Sequence, residues 1–176
     1  GVQRFLTYAM GERDEDKLKR TFSIALGLHV FLALIILVFA ETVGLWFVCN
    51  KMNIPDGRMT AAICIYQFSL IAFILNLVQV PFQSCLISHE RMNMYAYMSI
   101  YDVLMKLLVV FIISVLQTDK LILYGAMIMI VQTSSVLIYN FYCRSHFSEC
   151  TLKIQIDKQL TKQMLSYTGW NLFGGS

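Results

Sequence analysis

Nineteen consecutive residues, Phe22 to Ala40, contain no Lys, Arg, Asp or Glu; they read FSIALGLHVFLALIILVFA. As a helix rising 1.5 Å per residue, this stretch covers roughly 28 Å, close to the ~30 Å hydrocarbon core of a bilayer. A helix on the surface of a soluble domain keeps a polar face, and this one keeps none for five turns. Three further segments of the same kind follow. The pattern predicts an all-α, polytopic transmembrane helix bundle. Composition agrees: 57% of the 176 residues are hydrophobic and 14% charged, against about a quarter charged in soluble domains. No basic run interleaved with aromatics points to nucleic acid.

The complete spans are expected at about 21–48, 59–88, 94–116 and 121–143. Glu41 interrupts the apolar run of the first, so its membrane boundary is expected there, with Trp46 at the interface. The second span holds Pro81 within a helical pattern, which bundles tolerate when neighbours satisfy the freed carbonyl. Asn50 to Arg58, with Pro55-Asp56-Gly57, reads as a turn. Gln117-Thr118-Asp119-Lys120 is short enough to force antiparallel neighbours. Partial helices are expected at 2–10, ended by Gly11, and at 165–176, with an amphipathic stretch at 151–162. The charged run from Gly11 to Arg20 is expected outside hydrocarbon, with Asp14 and Glu15 opening a short helix. Both ends of the chain read as cuts through helices, so a longer polypeptide is expected.

Charge placement orients the bundle. The connections before the first span, between the second and third, and after the fourth carry Arg13, Lys17, Lys19, Arg20, Arg91, Arg144, Lys153, Lys158 and Lys162. The opposite side carries Lys51, Arg58 and Lys120. The first group should therefore face the cytoplasm.

Few residues invite chemistry. Asp102 and Lys106 stand four apart on one face of the third span, acid first, two to three turns inside the membrane. Charges at that depth cost a few kcal/mol each and normally face the bundle interior or water. On one reading Lys106 belongs to a cationic cavity that Asp102 tempers; on the other the two form a self-neutralising pair that fixes packing. Arg4 either points at an anionic headgroup or snorkels to the interface. Asn76, Gln79 and Gln83 follow i, i+3, i+7 and line a polar path or act as interhelical glue; Gln67 falls on the other side. His29 relays protons or makes one interhelical hydrogen bond. The five cysteines are widely spaced, show no CxxC or Cys/His metal box, and read as apolar fillers. No Ser/His/Asp set and no Gly-rich phosphate loop appears, so an enzyme is not expected.

Several segments resemble one family. Gln3-Arg4-Phe5-Leu6, then Gly11 and a charged run into Lys19-Arg20-Thr21-Phe22-Ser23, resemble the link between helices two and three of polysaccharide and O-antigen flippases. Ala40-Glu41-Thr42-Val43-Gly44-Leu45-Trp46-Phe47, Ile87-Ser88-His89-Glu90-Arg91-Met92 and Asp119-Lys120-Leu121-Ile122-Leu123-Tyr124 resemble later parts of the same lobe. Tyr167-Thr168-Gly169-Trp170-Asn171 resembles the start of helix seven. These flippases belong to the multidrug/oligosaccharidyl-lipid/polysaccharide exporter superfamily. The resemblance implies most of the N-terminal lobe of a two-lobe, alternating-access transporter in the bacterial inner membrane. It implies a lipid-linked oligosaccharide, an O-antigen or capsular unit on undecaprenyl pyrophosphate, as substrate. The partners implied are that substrate, membrane lipids and the remaining half of the same polypeptide; no cofactor or metal is implied. The family's link between helices two and three is cytoplasmic, which agrees with the charge count. No family site is carried onto Arg4, Asp102 or Lys106. A drug or organic-cation antiporter of the same superfamily is the alternative, and it would favour a net acidic cavity. Half of a pseudo-symmetric transporter exposes its inter-lobe face, so poor stability in isolation is expected.

Overall fold

A computed structural model describes residues 2–12, 14–52, 57–115 and 120–150. All regular structure among them is helical: α1 (Val2–Gly11), α2 (Glu15–Phe39), a π-helical turn (Ala40–Gly44), α3 (Leu45–Asn50), α4 (Met59–Ser88), α5 (Met92–Val115) and α6 (Lys120–His146). Four helical stretches are long and apolar enough to cross a membrane: the continuous run Glu15–Asn50 and helices α4, α5 and α6. The shortest, α5, has 24 residues, or about 36 Å of helix. The chain is a multi-pass membrane protein by length and composition, built as an all-α bundle. The stretches expected at 151–162 and 165–176 lie outside the described residues, as do Pro55-Asp56 and Gln117-Thr118-Asp119.

The first membrane helix begins earlier than the charge pattern suggested. The run Glu15–Arg20 is not a separate connection but the first turns of α2. Asp14 explains the start. Its Oδ1 accepts the backbone N–H groups of Asp16 at 3.1 Å and Lys17 at 3.0 Å, satisfying two of the donors that a helix leaves open at its N-terminus. Glu15 and Asp16 then add negative charge beside the positive end of the helix dipole. Lys17 pairs with Glu12, and Lys19 reaches Glu15 at 3.7 Å. Gly11 is the last residue of α1 rather than a left-handed cap beyond it, because the one described glycine with positive φ is Gly57.

Contacts separate two units, and α2, α4, α5 and α6 contribute to both. The first takes in Gly1–Phe31, Val78–Tyr95 and the described residues from Ile138 onward. Its core is close-packed. Phe22 of α2 meets Phe82 of α4 edge to face, with ring centroids 5.4 Å apart. Leu6, Ala9, Cys85, Leu86 and Cys143 are buried. Val2, Phe5 and Leu28 pack on the buried pair Ile24 and Ala25. Polar groups join α1 to α4: Thr7 Oγ1 lies 3.4 Å from Ser88 Oγ, which donates to Ser84 O at 2.8 Å. Pro81 is fully buried inside α4 and does not end the helix.

The second unit comprises Leu32–Leu77 and Ala96–Leu137. Helix α6 comes close to α4 at Gly125, where a Cβ would lie 3.1 Å from Ile65 Cγ1 and 3.2 Å from Phe68 Cδ2. Large apolar side chains face outward here, among them Phe39, Val103, Leu107, Val110 and Phe111. In water such a surface drives association; in lipid it is the required exterior.

Removing the cap at the head of α2 tests the first of these points. Asp14→Ala should lower stability by about 1 kcal/mol, read as a fall in the thermal unfolding midpoint in detergent. An unchanged midpoint would show that the Asp14 contacts contribute nothing.

Candidate functional site

Of the six residues the sequence nominates, Asp102 and Lys106 are in direct contact. Lys106 Nζ donates to Asp102 Oδ2 at 2.6 Å, with the lysine side chain 52% exposed and the carboxylate 32% exposed. Both stand near the middle of α5. Counting from Met92, Asp102 lies about 15 Å along the helix axis and Lys106 about 21 Å. Asp102 thus lies at the expected two to three turns, and Lys106 about one turn deeper. Asp102 borders the buried face that carries Met98 and Val109, while Lys106 falls one turn on among exposed Val103, Leu107 and Val110. The lysine therefore keeps one hydrogen bond to its helix neighbour and leaves part of its ammonium open.

The remaining four are placed differently from one another. Arg4 is exposed on α1, on the wall of a depression of about 730 Å³ lined also by Gln3, Thr7, Tyr8, Gly11 and Glu12. Asn76 is exposed, Gln79 is buried and Gln83 is half-buried on α4. The i, i+3, i+7 row thus goes from exposed to buried to half-buried instead of presenting three amides equally to one space. Arg4, Gln79 and Gln83 belong to the first unit, and Asn76, Asp102 and Lys106 to the second.

His29 forms a hydrogen bond within its own helix. Its Nδ1 lies 2.8 Å from the carbonyl of Ala25 in the same helix, so an intrahelical bond replaces the interhelical one. Arg91 is exposed just beyond α4.

A polar arrangement that the sequence did not disclose surrounds the π-helical turn in the second unit. Leu45 N–H closes the wide turn on Ala40 O, and the hydroxyl of Tyr66, from α4, donates to the same carbonyl at 2.7 Å. One residue along on each helix, Gln67 Nε2 donates to Glu41 Oε2 at 3.1 Å. Gly44 leaves the space that the tyrosine hydroxyl occupies; a Cβ there would collide with it. Wide turns of this kind often mark functional positions in helices. On α5 and α6, Tyr101 and Ser134 join hydroxyls at 2.9 Å. The neighbouring Ser135 hydroxyl is buried, with no hydrogen-bond partner among the described residues.

At the end of α4 in the first unit, three groups from distant parts of the chain converge. Cys85, His89 and Glu149 bring their sulfur, nitrogen and oxygen atoms within 4.8 Å of one another. His89 Nε2 pairs with Glu149 Oε1. Burial pushes the Glu149 carboxyl up, but hydrogen bonds from His89 and from its own backbone, with the nearby His89 charge, outweigh it. The carboxyl ends below its ordinary range. The sequence did carry half of this cluster, since Cys85 and His89 sit four apart on one helical face. Nothing in the sequence links them to Glu149, sixty residues beyond His89.

Comparison with protein-family models, with characterised proteins and with solved structures gives no match for the chain.

The π-helical turn yields a specific expectation. Gly44→Ala should displace the Tyr66 hydroxyl and cost about 1–3 kcal/mol of stability. Tyr66→Phe should cost about 1 kcal/mol. The double variant should lose clearly less than the sum, because the alanine then has no hydroxyl to displace. Additive losses in a thermal-unfolding cycle would refute the coupling.

Proposed function

We propose that this chain is part of a flippase that moves a lipid-linked oligosaccharide across the bacterial inner membrane. The observation that carries the reading is the charge pair of α5. A lysine held at mid-helix by one acid, and half open, is a costly feature for a purely structural bundle. It suits an anionic headgroup, because a second negative group can approach the exposed part of the ammonium while Asp102 holds the side chain in place. The segments that resemble polysaccharide and O-antigen flippases support the substrate class. They do so independently of the pair.

In this reading the pyrophosphate-sugar head occupies a polar cavity while the lipid tail stays in the bilayer. Lys106 offsets phosphate charge near the membrane midplane, where transporters commonly place their sites. Asn76, exposed in the same unit as Lys106, offers a hydrogen bond to a sugar hydroxyl or phosphate. Movement of one lobe against another then re-exposes the head on the far side.

The test is translocation in proteoliposomes, followed as the rate at which a lipid-linked oligosaccharide becomes accessible to an external glycosidase. Lys106→Met should slow it by about tenfold, the effect of losing roughly 1.4 kcal/mol of charge interaction. The exchange Asp102→Lys with Lys106→Asp preserves a neutral pair and should not restore the rate. Full recovery in that exchange would reduce the pair to helix packing. Efflux of an organic-cation dye without oligosaccharide movement would move the protein to the antiporter branch and overturn the proposal.

A further inference from the structure

The cluster at the end of α4 is unexplained by transport. Helix α4 ends in a tight reversal: Arg91 N–H bonds Leu86 O at 3.0 Å, Glu90 N–H bonds Ile87 O at 3.1 Å, and Glu90 takes φ 56°. This is the six-to-one closure that usually employs glycine at the left-handed position. A glutamate there is strained by roughly 1–2 kcal/mol. The closure fixes His89 as the last residue before the reversal, one turn beyond Cys85. The ring of Phe147 stacks on that of His89, centroids 4.1 Å apart and 17° from parallel. The turn after α6 then brings in Glu149 and Cys150, both buried.

The distances resemble a coordination polyhedron more than a set of fillers. Cys85 Sγ lies 3.6 Å from Glu149 Oε1 and 3.6 Å from Cys150 Sγ. In a tetrahedral zinc site, bond lengths of about 2.3 Å to sulfur and about 2.1 Å to oxygen put sulfur and oxygen roughly 3.6 Å apart and two sulfurs roughly 3.8 Å apart. A disulfide would need about 2.05 Å between the sulfurs, and Cys85 and Cys150 are both free thiols. Two adjustments complete the shell: the ion pair of His89 with Glu149 opens to roughly 3.4 Å, and Cys150 Sγ, which touches Cys85 but stands outside the group in which Cys85, His89 and Glu149 lie within 4.8 Å of one another, moves in. A cavity of about 390 Å³ borders the cluster; His89, Glu149, Arg91 and His146 lie on its wall, which gives an ion a route in.

We propose that Cys85, His89, Glu149 and Cys150 form a binding site for a zinc ion. Two thiols, an imidazole and a carboxylate are the donor set that a borderline-soft ion with tetrahedral preference takes. Four protein ligands close the coordination shell, so the ion is structural. Its effect is to clamp the segment after α6 onto the end of α4. Binding releases the two thiol protons and the proton that Nε2 of His89 donates to Glu149, and the freed Nε2 supplies the third bond. The inference stands apart from the transport reading and survives its failure.

The experiment uses the protein in detergent, reduced and stripped of metal with a chelator. Titration with Co²⁺ alone should give a saturable thiolate-to-cobalt charge-transfer band at one ion per chain, which Zn²⁺ then bleaches. Cys85→Ser and His89→Gln should each weaken the binding by at least about tenfold. Cys49→Ser, which alters an exposed thiol elsewhere, should not. Zn²⁺ should also protect Cys85 and Cys150 of the unaltered protein from alkylation, read by mass spectrometry; this needs no variant to fold. No charge-transfer band, a band undiminished in Cys85→Ser, or alkylation of both thiols indifferent to Zn²⁺ would each overturn the site.

Discussion

Every backbone N–H and C=O that enters hydrocarbon must find its partner within the protein, because lipid offers none. That constraint selects helices for this chain before any side chain is considered. It also makes each departure from regular helix informative. The wide turn Ala40–Gly44 is such a departure. Its carbonyl at Ala40 takes the N–H of Leu45 and the hydroxyl of Tyr66, so the irregular backbone is satisfied across helices instead of being left to the bilayer. Glycine at position 44 follows from the same requirement, since any side chain there would evict the hydroxyl. Sequence, local geometry and interhelical packing are here one fact seen at three scales.

Two polar features among the described residues answer to different physics. The Asp102–Lys106 pair is local, four residues apart on one helix, and can form before the bundle assembles. Its net charge is zero, which lowers the cost of insertion. The lysine nevertheless remains half exposed, so desolvation has not been completed by neighbouring side chains. The Cys85–His89–Glu149 cluster is the reverse. It exists only once α4 and the turn after α6 have come together, and two of its three members are buried. A buried carboxylate is tolerable there because His89 and backbone donors satisfy it. Bundle assembly thus builds the second feature and merely frames the first.

That distinction also decides how much could be read from the residues. The four membrane helices were legible because apolar runs of this length have few other uses. The Asp102–Lys106 contact was legible because helical spacing dictates it. The start of α2 was half legible: Asp14 and Glu15 read as opening a short helix, and Asp14 does cap it, but that helix runs on into the span instead of ending before it. Propensity and capping outweighed polarity, and basic side chains at a membrane boundary can extend toward headgroups while their backbone stays helical. His29 escaped for a related reason. Its ring bonds Ala25 in its own helix, an option that a search for partners on other helices overlooks.

The cysteines show what spacing along the chain does not reach. Metal boxes are recognised when ligands are close in sequence, because a short loop can wrap an ion. A bundle has another way to bring ligands together: two helix ends meet, and each contributes a pair. Cys85 with His89 is one pair, one helical turn apart; Glu149 with Cys150 is the other, adjacent in the turn after α6. Neither pair is a motif alone. Their meeting depends on the buried packing of Phe82, Leu86 and Cys143, in which the Cys143 thiol lies 3.8 Å from the Phe82 carbonyl. The apolar contact that seals this end of α4 is therefore what positions the cluster.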